Sequence, residues 1–131
     1  MVSAINSALS GYAAAVQRLN VSANNIANAD STQTVSNGTV QNTPYVPQQV
    51  VQSSQATGGV STSVESVNPP SIAVNDPNNP AANANGVTQY PNVDPAQQLI
   101  QAQLASYDAQ GNISVLKVES KLYQSVLNIV S

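Results

Sequence analysis

The chain has 131 residues, of which 7% are charged and 4% aromatic, with no Phe, Trp, His or Cys and a net charge of −3. Arg18, Lys117 and Lys121 are its only bases. They could neutralise few phosphates, which excludes nucleic-acid binding as a principal activity and a polybasic membrane anchor with it. Without His, Cys or a concentrated set of acids, the usual groups for metal ligation, acid–base work and covalent catalysis are missing, so no cofactor or enzymatic role is expected.

Val2, Ile5, Leu9, Tyr12, Val16, Leu19, Ala23 and Ile26 follow one another in alternating steps of three and four. That spacing predicts a helix with a heptad seam running to about Asn28, forming the first of three segments, residues 1–30. Ala and small polar residues lie between the seam positions, so the helix is narrow. Asn28, Ala29 and Asp30 end it, because Asn and Asp favour turns. Residues 1–15 lack the basic start and continuous apolar run of a secretory signal, and no stretch is apolar for long enough to span a bilayer.

Residues 31–93 change character, holding every proline except Pro95. Short Val-rich runs at 45–51, 60–67 and 71–74 are bounded by the turn signals Asn37-Gly38, Gly58-Gly59 and Pro69-Pro70. They predict a small β-hairpin or meander. Residues 75–92, rich in Asn, Pro and Ala, read as ordered loop or linker. Asp76 to Gly86 faintly resembles a calcium loop, but with one carboxylate it is better read as an Asx-rich turn.

The third segment, residues 94–131, opens on a helix start, with Asp94 to cap, Pro95 at the first helical position and Gln97 at the third. One stripe passes Leu99, Ala102, Ser106, Ala109, Ile113, Leu116, Ser120, Tyr123, Leu127 and Val130. A second passes Ile100, Leu104, Tyr107, Gly111, Val115, Val118 and Leu122. A helix with two apolar stripes needs cover on two sides. The first helix supplies one cover; the middle segment or another subunit supplies the other. The fold class expected is mainly α with a small β insert, its two long terminal helices paired as a coiled coil. With so few large side chains an isolated pair is marginal, and further partners would stabilise it.

Two stretches carry more than periodicity. Ser10-Gly11-Tyr12, Arg18 to Ala29 with its core Asn24-Asn25-Ile26-Ala27-Asn28-Ala29, and Asp30-Ser31-Thr32 resemble the amino-terminal signature of flagellar rod, hook and hook-associated proteins. Asn75-Asp76-Pro77, Pro80-Ala81, Gly86-Val87 and Tyr90-Pro91-Asn92-Val93, leading into the last helix, are similar to the proximal-rod family called flagellar basal-body rod protein C. The resemblance covers most of the chain. It implies a structural subunit exported by the flagellar type III apparatus without a cleaved signal. Such a subunit assembles in the periplasm with itself and other rod proteins into the shaft that carries torque from motor to hook. The residues expected to pack between subunits are Ile5, Leu9, Tyr12, Val16, Leu19, Ala23, Ile26, Leu99, Gly111, Ile113, Leu116, Tyr123 and Leu127. Another axial flagellar protein shares the pattern. A secreted fibre or adhesin shares the composition, though it should show repeats and a secretion signal.

Overall fold

The computed structural model describes residues 2–36, 39–56 and 58–130. In chain order the elements are α1 (Val2–Ala27), β1 (Thr34–Ser36), β2 (Thr39–Asn42), β3 (Gln48–Ser54), β4 (Val60–Ser66), β5 (Ser71–Asn75), β6 (Val87–Pro91) and α2 (Pro95–Val130). At ~1.5 Å per residue the helices are about 39 and 54 Å long. They pack antiparallel, as the paired-helix reading requires, with the strands between them in sequence.

The start of α2 and the end of α1 have local causes. Asp94 Oδ1 accepts from the Ala96 and Gln97 backbone N–H groups at 2.9 and 3.2 Å, satisfying donors that the first turn leaves free. Pro95, lacking an N–H, fits the first position of α2. Beside it, at the same end of the pair, Asn28 Nδ2 donates to the Asn24 carbonyl at 2.8 Å, closing the last turn of α1.

Among the described residues the strands form three separate antiparallel hairpins, β1–β2, β3–β4 and β5–β6. The expected runs 60–67 and 71–74 became β4 and β5. The run expected from Tyr45 became a strand only from Gln48, because Pro44 and Pro47 interrupt the ladder ahead of it. The linker reading of 75–92 is corrected: Val87–Pro91 is a strand paired in full register with Ser71–Asn75. Its partner lies across an eleven-residue loop (76–86), beyond the reach of short-range turn signals. That loop is an Asx-rich turn. Asn83 Oδ1 accepts from the Asn85 and Val87 N–H groups, and Asn79 Oδ1 from that of Ala81. β1 and β2 flank Asn37-Gly38, and that turn signal itself lies outside the described residues. Their three and four residues are too few to show a period.

The β3–β4 hairpin lies along α1. β3 begins beside Asn25, where the Gln48 N–H donates to Asn25 Oδ1 at 3.0 Å. Its tip reaches Ser7 and Ser10, where Val60 N–H donates to Ser10 Oγ at 3.1 Å. Gly59, at φ +88°, sits so close to Ser10 that a Cβ would collide with the serine side chain. Glycine is required there both for the backbone and for the approach.

The interior is made of small and polar side chains. The buried apolar residues are Ala8, Ala14, Ala15, Val21, Ala81 and Ala105, joined by Ser22, Asn25, Gln33 and Thr88. Alanine and serine let two helix backbones approach closely, but each removes little apolar area from water. Most large aliphatics of both helices stay on the outside. No described helix is long and apolar enough to cross a membrane.

Candidate subunit interface

Three contacts set the pairing of the helices. A Cβ on Gly11 would lie 2.7 Å from Asn112 Oδ1, Arg18 forms a 2.7 Å ion pair with Asp108, and Asn25 Nδ2 donates to Gln98 Oε1 at 3.1 Å. Through them α1 shows three faces, each repeating in steps of three and four. Ser3, Ser7, Ser10, Ala14, Gln17 and Val21 lie on the β3–β4 side, with Thr62 Oγ1 hydrogen-bonded to Gln17 Oε1. Ala8, Gly11, Ala15, Arg18, Ser22 and Asn25 lie on the α2 side. The apolar seam read from the sequence is the third face.

That seam is not the contact between α1 and α2. Ile5, Leu9, Leu19, Ala23 and Ile26 are exposed, Leu9 to 55%, while Tyr12 and Val16 are half-buried along its border. The reason is size: helices that meet through alanines leave no room for leucines at the centre of the contact. On α2 the residues toward α1 are Gln98, Ala102, Ala105, Ala109, Asn112, Leu116 and Glu119, again in heptad steps. Ile113 and Leu116 are half-buried; Leu99, Tyr123 and Leu127 are exposed. The second stripe, from Ile100 and Leu104 through Tyr107, Val115 and Val118 to Leu122, is exposed throughout on the side away from α1. Gly111 belongs to it, and a Cβ there would meet nothing within 4 Å.

The two helix glycines therefore differ, and the difference is measurable. In the isolated chain Gly111→Ala should raise helix stability by about 1 kcal/mol, the usual glycine penalty recovered. Gly11→Ala should recover much less, because the Asn112 side chain must move aside. Thermal unfolding followed by circular dichroism checks the order of the two; equal gains would contradict the contact between Gly11 and α2.

The signature residues have structural work that periodicity does not reveal. Asn25, 1% exposed, uses both amide hydrogens and both oxygen lone pairs. Nδ2 donates to the Gln48 carbonyl at 2.7 Å and to Gln98 Oε1, while Oδ1 accepts from Tyr45 Oη at 3.0 Å and from Gln48 N–H. One side chain thus joins α1, the entry to β3 and α2. Asn24, Ile26 and Ala27 are exposed, and Asn28 and Ala29 form the helix end. Pro91 is fully buried, and Asn92 binds the turn between β4 and β5, its N–H to Pro70 O at 2.9 Å and its Nδ2 to Pro69 O at 3.0 Å. Val93 is half-buried behind it. Sequence reasoning missed Gln33, which is buried and donates Nε2 to the carbonyls of Ala81 and Val87. Nothing in the local pattern marks it, since its partners are more than forty residues away.

Burial raises the pKa of the Tyr45 phenol above its ordinary value near 10. The folded state thus holds that proton more tightly than the unfolded chain, so its contribution is complete below about pH 10 and is lost as pH rises through the folded value. Helix ellipticity titrated into alkali should fall less steeply in Tyr45→Phe than in the parent chain. Identical curves would show that ionisation at Tyr45 does not reach the helix pair.

The arrangement defines a class of protein: a small-residue helix pair that carries its large apolar side chains outward. Comparison with known proteins identifies relatives. The family model for flagella basal body rod proteins matches residues 5–33. Over 126 residues the chain is 40% identical to the flagellar basal-body rod protein FlgC of Salmonella typhimurium, covering 92% of this chain and 90% of the relative. It is 39% identical to FlgC of Yersinia enterocolitica over the same shares. Identity to FlgC of Buchnera aphidicola from Acyrthosiphon pisum is 36% over 98% of this chain and 97% of the relative. The chain belongs to the FlgC family of flagellar basal-body rod proteins, which are structural components of the flagellar basal body.

Proposed function

We propose that this protein builds the proximal rod by inserting its helix pair among those of neighbouring rod subunits, so that torque passes from motor to hook through packed helices. The observation that carries the reading is the inversion of side-chain size. Alanines are buried within the chain, while Leu9, Leu99, Leu104, Val118, Tyr123 and Leu127 stand exposed in continuous stripes. Contiguous apolar surface on this scale marks an interaction site. The rest of the surface is mostly amides and hydroxyls, which lose less on desolvation than ions do. Ile5, Leu9, Leu19, Ile26 and the exposed α2 stripes are the contact residues, with Gly111 allowing a neighbour to approach closely. The subunit reaches the periplasm through the flagellar type III apparatus, without a cleaved signal, and meets its own copies and other rod proteins there.

Complementation of a strain lacking the gene tests this on soft agar. Asp76→Asn and Glu119→Gln should swim normally, because neither acid has chemistry to perform. Asp76 accepts a hydrogen bond from Asn79, and Glu119 Oε2 is buried without a partner among the described residues. Loss of swimming in an exported Glu119→Gln protein would point to a carboxylate site and overturn the structural reading.

A further inference from the structure

We infer that Asn25 sets the register of the helix pair, and that this register keeps the last turns of α2 uncovered for a neighbouring subunit. The first half stands on the chain alone; the second rests on the rod reading.

Heptad spacing alone does not choose the register. On α1 the contact positions Ala8, Ala15 and Ser22 repeat every seven residues, as do Ala102, Ala109 and Leu116 on α2. A slip of one heptad brings Ser22 opposite Ala109 and Ala15 opposite Leu116, so the heptad pattern is kept with a larger side chain at one layer. The apolar effect favours such a slip. Gly11 faces Asn112 and Asn25 faces Gln98, so the start of α1 lies near residue 121, and α2 runs on beyond it to Val130. Leu122, Tyr123, Val126, Leu127 and Ile129, all exposed, lie on that extension, Ile129 to 84%. With Gly11 moved opposite Glu119, α1 would cover Tyr123, Val126 and Leu127.

What opposes the slip is polar and sits at the other end of the pair. In the slipped register Asn25 would face Ala105, and Nδ2 would lose the Gln98 acceptor. Tyr45 and Gln48 hold the other bonds of Asn25, so the asparagine could not turn to find a substitute. A buried polar group left unpaired costs more than the bond itself. The Arg18–Asp108 pair also reports the register, but both side chains are partly exposed, and such pairs contribute little. A single buried Asn that specifies alignment among apolar repeats is a known physical device in coiled coils. Here it holds a pair of helices short of their greatest apolar cover.

The chain has no native cysteine, so disulfide trapping reads the register directly. Gly11→Cys with Asn112→Cys reports the observed register, and Gly11→Cys with Glu119→Cys the slipped one. The full-length purified protein is oxidised in an osmolyte that favours compact states. With Asn25 present, the 11–112 disulfide should form and the 11–119 disulfide should not. With Asn25→Leu, helix ellipticity should be kept and the 11–119 product should rise about tenfold relative to 11–112, the ratio for loss of one to two net hydrogen bonds. Tyr45→Phe should move the ratio the same way by a smaller factor, and Arg18→Gln should leave it unchanged. The inference is overturned by an Asn25→Leu chain that still gives only 11–112, by one that loses ellipticity and both disulfides, or by an equal shift in Arg18→Gln. Because swimming is not the readout, failure here leaves the rod assignment standing, and failure of that assignment leaves the register result intact.

Discussion

A chain with Ala105→Leu is expected to be exported and yet to leave cells non-motile. Ala105 is 0% exposed and faces α1 across a contact where Ala15 is also 0% exposed. Leucine adds three carbons to a space that has none, and overpacking of this kind costs about 1–3 kcal/mol. A compact core can spread that strain over many neighbours. This helix pair cannot, since its interior is one row of alanines, serines and amides, and net stability is a small difference between large terms. Ala105→Ser, close to alanine in volume, should retain swimming. Soft-agar motility paired with detection of the exported protein distinguishes the outcomes. A swimming Ala105→Leu strain would mean that the helices do not meet closely in the assembled state.

The second large effect is expected on the opposite face. Leu104→Asp and Val118→Asp replace side chains that are 55% and 57% exposed. In the isolated chain a surface aspartate there costs little, and ellipticity and hydrogen exchange should be unchanged within about 0.5 kcal/mol. In an assembly that buries the stripe, the same change places a charge in an apolar contact with few bases nearby, at a cost of several kcal/mol. Unchanged folding with lost motility is the expected combination. Either variant swimming normally would place the stripe on a free surface of the rod.

These two faces of α2 also separate what was legible in the sequence from what was not. The helices, their caps and their order could be read, because 3.6-residue periodicity, Asp94-Pro95 and the Asn28 turn act over a few residues. The middle was read in part. β4 and β5 are local runs of β-branched residues, but β6 needs a partner across an eleven-residue loop, and Gln33 needs two carbonyls from another hairpin. Those contacts leave no local trace.

By itself the sequence determined that there are two long amphipathic helices, and that the second bears more apolar surface than one partner helix can cover. It also carried the signature that leads to the rod family. Only the tertiary structure decided which stripe faces which neighbour. Heptad spacing gives a helix several candidate seams, and hydrophobicity alone selects the one with the largest side chains, Ile5 to Ile26. Within one chain the closer approach of backbones through Ala8, Ala15 and Ala105, together with the four bonds of Asn25, selects the seam of small residues instead. The larger side chains are left facing outward, where a single chain has nothing to cover them.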